Sequence, residues 1–212
     1  MTRNLLVGLA YEANTEQGYT QNPYRSIRYV DPSNPKQFDE APEIYPTTRT
    51  GNALAVKAKY YLSWNASANA GYRYYYDTWA IHAQTFDVGY VQPFLHDALT
   101  ADVTVRYYTQ TQASFYSDLF PRANFQNFMA RDRELAALYN LAYGGGLSYE
   151  FLHSPWHFVK KSTVSFHIDR IMYHYKNFRN AEIELLQKLI PGTGPLYSTS
   201  AWSEQVFLSF FY

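Results

Sequence analysis

Eight stretches of the chain alternate apolar and polar side chains with a period of two, the repeat of a β-strand whose faces meet different surroundings. In residues 4–12, Leu5, Val7, Leu9 and Tyr11 oppose Leu6, Gly8, Ala10 and Glu12. Residues 50–63 set Leu54, Val56, Ala58, Tyr60 and Leu62 against Ala53, Ala55, Lys57, Lys59 and Tyr61. After the turn Ser63-Trp64-Asn65, a third stretch places Ala68, Ala70, Tyr72, Tyr74 and Tyr76 opposite Asn69, Gly71, Arg73, Tyr75 and Asp77. The fourth, 82–92, has Phe86, Val88 and Tyr90 opposite Thr85, Asp87 and Gly89, and is expected to stop at Pro93.

The fifth, 100–110, is the cleanest: Ala101, Val103, Val105 and Tyr107 against Asp102, Thr104, Arg106, Tyr108 and Gln110. The sixth, 136–151, alternates Tyr139, Leu141, Tyr143, Leu147, Tyr149 and Phe151 with small or polar residues that include Glu150, and Gly144-Gly145-Gly146 predicts a bend or bulge. In the seventh, 160–175, Val164, Phe166 and Ile168 oppose Ser165, His167 and Asp169. After Arg170 the regular apolar set becomes Ile171, Tyr173 and Tyr175, which predicts a bulge near Arg170. The eighth begins near Tyr197 and ends with Val206, Leu208, Phe210 and the terminal aromatic Tyr212 on one face, Gln205 and Ser209 on the other. A C-terminal strand of this form is the segment by which barrel-assembly machinery would receive an outer-membrane protein.

The connections alternate too. Joins after the second, fourth and sixth stretches are short, those after the first, fifth and seventh long, and the tight join near Thr78–Ile81 is the one exception. Short turns on one side and long loops on the other are the asymmetry of bacterial outer-membrane barrels. Within the last long loop, Ala181–Ile190 has helical spacing ended by Pro191-Gly192. The expected fold is therefore all-β: an antiparallel up-and-down transmembrane β-barrel over residues 1–212, with about eight strands, complete or part of a larger barrel. A soluble barrel would turn its apolar face inward and its charges outward. Here the polar face is rich in Gly, Ala and Ser with charges of both signs, which suits a crowded wet lumen.

Composition sharpens this picture. Tyr, Phe and Trp make 19% of the residues against 17% charged, a balance suited to a surface apolar at one end and wet at the other. Net charge is zero, so nothing favours nucleic acid as a partner. No Cys is present, which excludes disulfides and thiolate metal sites. Mean hydropathy is −0.40 and no stretch approaches 18 consecutive apolar residues, so a transmembrane helix is not expected. Met1-Thr2-Arg3-Asn4 runs straight into strand-like sequence without a signal peptide, which predicts a mature or truncated chain.

Several motifs carry a resemblance. In order they include Gly18-Tyr19, Asn22-Pro23-Tyr24-Arg25-Ser26, Tyr45-Pro46 with Arg49, Lys57-Ala58-Lys59-Tyr60-Tyr61, Gly71-Tyr72-Arg73-Tyr74-Tyr75 and Asp77-Thr78-Trp79. They continue through Arg106-Tyr107-Tyr108-Thr109-Gln110, Phe115-Tyr116-Ser117-Asp118-Leu119-Phe120-Pro121, Ala130-Arg131-Asp132 with Glu134-Leu135, and Pro195-Leu196-Tyr197-Ser198. This series resembles a family of bacterial outer-membrane barrels catalogued only as a domain of unknown function. The resemblance implies a fold, the bacterial outer membrane as the location, and correspondence to the C-terminal half of longer members that begin with a signal peptide. It implies no activity.

Candidate chemistry falls on the polar face and in the loops. Lys57, Lys59, Arg73, Asp77, Asp87, Asp102, Arg106, Glu150 and Asp169 form a lumen set that either selects ions or fills a narrow interior with salt bridges. Ser165, His167 and Asp169 share a face, but residues two apart on a strand stand roughly 6.5–7 Å apart, too far for a nucleophile to reach its base. His153 and His157 have helical ligand spacing interrupted by Pro155, so no metal site and no cofactor are expected. In the long loops, Tyr24, Arg25, Tyr116, Asp118, Phe120, Arg122 and Arg131 are candidates for binding an extracellular ligand or partner, because aromatic and Arg side chains anchor interfaces. The alternative is that these loops fold over the mouth as a stabilising plug. The expected function is a non-enzymatic barrel in outer-membrane lipid: a small pore, transport component or scaffold. A lipid-modifying hydrolase and a surface binding or adhesion protein are the alternatives.

Overall fold

A computed structural model describes residues 3–20, 22–152 and 161–211, the side chain of Leu152 excepted, so Tyr212 and the His153/Pro155/His157 segment lie outside the described residues. The strands are β1 (Leu5–Gln17), β2 (Ser26–Val30), β3 (Phe38–Pro42), β4 (Thr48–Tyr61), β5 (Ser67–Asp77), β6 (His82–Phe94), β7 (Leu99–Gln110), β8 (Leu138–Leu152), β9 (Lys161–Arg179) and β10 (Leu196–Phe211). Eight of them form one antiparallel sheet in the order β1-β4-β5-β6-β7-β8-β9-β10, and β2 and β3 form a separate hairpin. The sheet is a meander because each long strand lies beside its successor along the chain. β1 and β10 are its two ends and do not pair with each other among the described residues.

Ladder register decides which side chains share a face. Across the middle of the sheet, Lys57, Gly71, Asp87, Arg106, Ala142 and Ile171 stand directly opposite one another, strand by strand. One residue further along each strand, Ala58, Ala70, Val88, Val105 and Tyr143 form the matching row on the other face. The sheet thus has a polar face and an apolar face, and Val88 and Val105 stay 60% and 48% exposed on the latter.

Three local expectations are corrected. β6 runs through Pro93 to Phe94, pairing Pro93 with Thr100. β5 ends its ladder at Val91, so beyond that point β6 has a neighbour on one side only, and a proline is tolerated on such an edge. Register is unbroken through Gly144–Gly146, and also through Arg170, where no bulge occurs; the shifts lie at Glu150/Leu152 and Leu196/Ser198. The apolar set after Arg170 arises because Ile171, Tyr173 and Tyr175 keep the facing of Asp169, while what they face changes from open space to folded loops. Tyr175 and Tyr173 join the main buried cluster.

That cluster sits at the loop end of the polar face. Tyr45, Trp79, Ile81, Phe115, Tyr116 and Leu135 from the connections pack on Leu138 and Tyr175 from the strands, with Tyr75 and Tyr108 alongside. A smaller cluster, Ile27, Phe120 and Met129, joins the β2–β3 hairpin to the β7–β8 loop. The β9–β10 connection carries α1 (Ala181–Leu186), whose first amides, those of Glu182 and Ile183, are bonded by the Asn180 side chain. It ends earlier than its spacing predicts, as Gln187 leaves helical geometry and Lys188 adopts a positive φ of 52°. No described helix is long and apolar enough to cross a membrane.

Candidate functional site

Three long connections meet over the loop end of the polar face and form a cap held by buried charges. Arg28, in β2, is 2% exposed. Its guanidinium pairs with Asp118 at 3.0 Å and with Glu184 at 2.7 Å, joining the hairpin to the β7–β8 and β9–β10 connections. Glu184 also accepts from the backbone N–H groups of Gly192 (3.1 Å) and Gly194 (2.9 Å), so its buried carboxylate is well satisfied. Arg28 Nε is buried without a hydrogen-bond partner among the described residues, and the guanidinium lies 5.1 Å over the Phe38 ring.

A second set of bonds extends this network. Arg131 pairs with Asp118 at 3.0 Å, donates to the carbonyls of Asp118 and Arg179, and stacks 4.6 Å over Phe178. Burial pulls its pKa down while Asp118 opposes that shift. Arg25 pairs with Asp132. Glu43, 2% exposed, accepts from the Arg131 backbone N–H at 2.7 Å and from Tyr45 Oη at 2.9 Å. Burial raises the Glu43 pKa, outweighing those two donors, and burial likewise raises the phenols of Tyr45 and Tyr116.

Of the seven loop candidates, five are therefore structural members of the cap: Arg25, Tyr116, Asp118, Phe120 and Arg131. Phe120 and Tyr116 are 2% and 4% exposed, so neither offers a contact surface. Tyr24, 95% exposed, and Arg122, also exposed and 5.9 Å over the Phe125 ring, do face outward. Sequence reading picked out Arg28 as one of the arginines of the first long loop but missed its buried surroundings, and it missed Glu43 and Glu184. The run Ser26-Ile27-Arg28-Tyr29-Val30, bounded by Asp31-Pro32, carries a strand signal that could have exposed the hairpin.

The nine polar-face charges do not pair among themselves in the described residues. Their partners are residues outside that set: Arg73 meets Glu12 at 3.1 Å, Asp77 meets Arg49 at 2.7 Å, Glu150 meets Lys161, and Asp102 meets His167 Nε2 at 3.0 Å. Asp169 lies 3.7 Å from His167 Nδ1. His167 and Asp102 meet across the intervening β8 because position 146 is glycine: a Cβ there would stand 2.4 Å from the imidazole and 2.6 Å from the carboxylate. Gly144 admits Asp169 and Gly71 admits Asp87 in the same manner. Arg106 is the ladder neighbour of Asp87, and Lys59 lies 5.4 Å over Tyr61; with Lys57, these residues have no ion-pair partner among those described. Ser165 Oγ is bonded to Ser148 Oγ at 2.6 Å, not to His167. No described group of three or more His, Cys, Asp or Glu has a geometry suited to a metal ion.

Between the cap and the uppermost polar-face residues lies a vestibule of about 480 Å³. Arg49, Tyr75, Tyr108 and Gln110 rise into it from the strands, and Tyr45, Trp79, Asp132 and Glu134 line it from the cap. Asp77 organises its floor: it accepts from Arg49 Nε (2.8 Å), Tyr75 Oη (3.0 Å) and the backbone N–H groups of Trp79 (2.9 Å) and Ile81 (3.0 Å). The tight β5–β6 turn, with Ala80 at φ 65°, directs Trp79 under the cap, where its ring meets Tyr45 and Phe115 edge-on. The Arg49 guanidinium lies over that indole at 4.6 Å.

A family model described as "Protein of unknown function (DUF3570)" matches residues 1–188, and the chain belongs to that family. No curated protein and no solved structure matches it.

Proposed function

We propose that this family member is a non-enzymatic β-barrel protein of the Gram-negative outer membrane, its apolar face in lipid, its polar face lining a wet interior, and its loops forming an external cap. The observation that carries this reading is the apolar face itself. Leu54, Val56, Val88, Val103, Val105, Leu147, Val206 and Leu208 are each between 43% and 71% exposed. A patch of that extent in water invites association, whereas in hydrocarbon it is solvated. Aromatic side chains toward the strand ends, Tyr60 and Tyr149 at one and Tyr76 at the other, suit headgroup anchoring.

Unpaired backbone groups cost several kcal/mol each in lipid, so β1 and β10 must find strand partners there. These eight strands then either close through β1 and β10 or form one wall of a wider barrel, with β10 as the segment offered to the barrel-assembly machinery. The interior it lines serves a small pore or transport route narrowed by the cap. Engagement of His167 by carboxylates and of Ser165 by Ser148 supports a non-enzymatic role over a lipid hydrolase. Binding at the outer surface is a second reading, favoured by exposed Tyr24 and by Leu185 and Leu186 of α1, 62% and 76% exposed.

Heat-modifiable gel migration of detergent-extracted protein, followed by conductance in planar bilayers, tests the proposal. A shift between unheated and boiled samples with discrete conductance steps is expected. An unshifted band would contradict the barrel, and a shifted band without conductance would replace the pore by a scaffold.

A further inference from the structure

We infer that the vestibule beneath the cap is a binding site for organic cations, small molecules bearing an ammonium group. Its volume of about 480 Å³ falls within the range of small-molecule sites. Tyr45, Tyr75, Trp79 and Tyr108 contribute to its lining, and aromatic ring faces attract cations through their quadrupole, as Arg49 over Trp79 at 4.6 Å and Arg73 over Tyr75 at 5.6 Å already do.

Charge bookkeeping around the cavity sets the sign of the ligand. Arg49 is matched by Asp77, which takes both its Nε and its Nη2, and Asp132 is matched by Arg25. Glu16 and Glu134 also line the cavity and have no cationic partner within 4.0 Å among the described residues. Glu16 is the ladder neighbour of Arg49, yet that guanidinium is turned to Asp77, and among the described residues the Glu16 carboxylate accepts only from Asn14 Nδ2 at 3.2 Å. Two uncompensated carboxylates beside phenol and indole rings leave a surplus of acceptors and of negative potential. A ligand that donates hydrogen bonds and carries positive charge satisfies both.

The inference rests on the polar face being a wet interior, through which such a ligand reaches the cavity. Calorimetric titration of the detergent-solubilised full chain compares choline with its uncharged isostere 3,3-dimethylbutan-1-ol. Choline is expected to bind at least about tenfold more tightly than the isostere. Glu16→Gln and Glu134→Gln should each weaken choline about three- to tenfold, the double variant should lose it, and Glu182→Gln on α1 should bind as the parent does. Unchanged heat-modifiable migration verifies that each variant folds. Equal affinity for both compounds, no choline binding, or a double variant that binds like the parent would overturn the site. Failure of the barrel reading shows separately, as an unshifted band in the parent protein.

Discussion

Phe120 in the cap is 2% exposed and Leu208 on the outer face of β10 is 58% exposed, although both are large apolar side chains in ordered structure. The cap resolves its own burial: rings pack on rings and the buried guanidinium of Arg28 is met by Asp118 and Glu184. The strand body does not. Its apolar face is exposed along most of the sheet, and β1 is exposed on both faces along its whole length. One end of the molecule is folded like the interior of a water-soluble protein, while the other leaves an apolar face exposed.

Arg28→Ala cuts deepest into this contrast. Stranding the buried Glu184 carboxylate should cost the cap about 3–5 kcal/mol. Hydrogen exchange should then rise across residues 18–47 and 180–195 while the strands stay protected; protected loops would show that the network is dispensable. On the strand side, Val105→Arg should destabilise the protein in vesicles by about 2–4 kcal/mol, as a cation near the middle of a lipid-facing strand does. A water-exposed valine would tolerate the change, so unaltered urea unfolding would break the comparison.

A smaller effect is expected at Gly146→Ala. The added Cβ forces His167 and Asp102 apart and should cost about 1–3 kcal/mol in the same unfolding measurement, whereas Gly8→Ala, with nothing within 4 Å, should not. Smallest is a pH slope. Burial holds the Glu43 carboxyl above its ordinary value of 4.5, so the folded cap retains that proton longer than the unfolded loop does. Cap stability therefore falls as pH climbs from 4.5 through the folded value. Glu43→Gln should remove that dependence, read as hydrogen exchange of the cap against pH, and an unchanged slope would assign it to another group.

The number, order and facing of the eight sheet strands were legible in the sequence because a period of two reports directly that two faces differ, and each long strand lies beside the next, whereas the β2–β3 hairpin was not. The cap was not legible to the same degree. Arg28 and Glu184 are 156 positions apart, and no local pattern marks two charges that meet only after three loops converge. Gly144–Gly146 was visible as an anomaly and suggested a bend or bulge; register shows no bulge, and its use is a close approach set by the register of β7 and β9. Ile171, Tyr173 and Tyr175 suggested a bulge for a related reason: alternation records a change of surroundings without saying whether the strand or its surroundings changed.

Single-tryptophan variants reconstituted in vesicles of brominated lipid compare the two regions most directly. Trp202, 58% exposed on the outer face of β10, and Trp79, 5% exposed within the cap, report from opposite sides of the proposed boundary. The account predicts strong quenching of Trp202 and little quenching of Trp79. Equal quenching of the two, or none of Trp202, would contradict the claim that the apolar face of the sheet meets hydrocarbon.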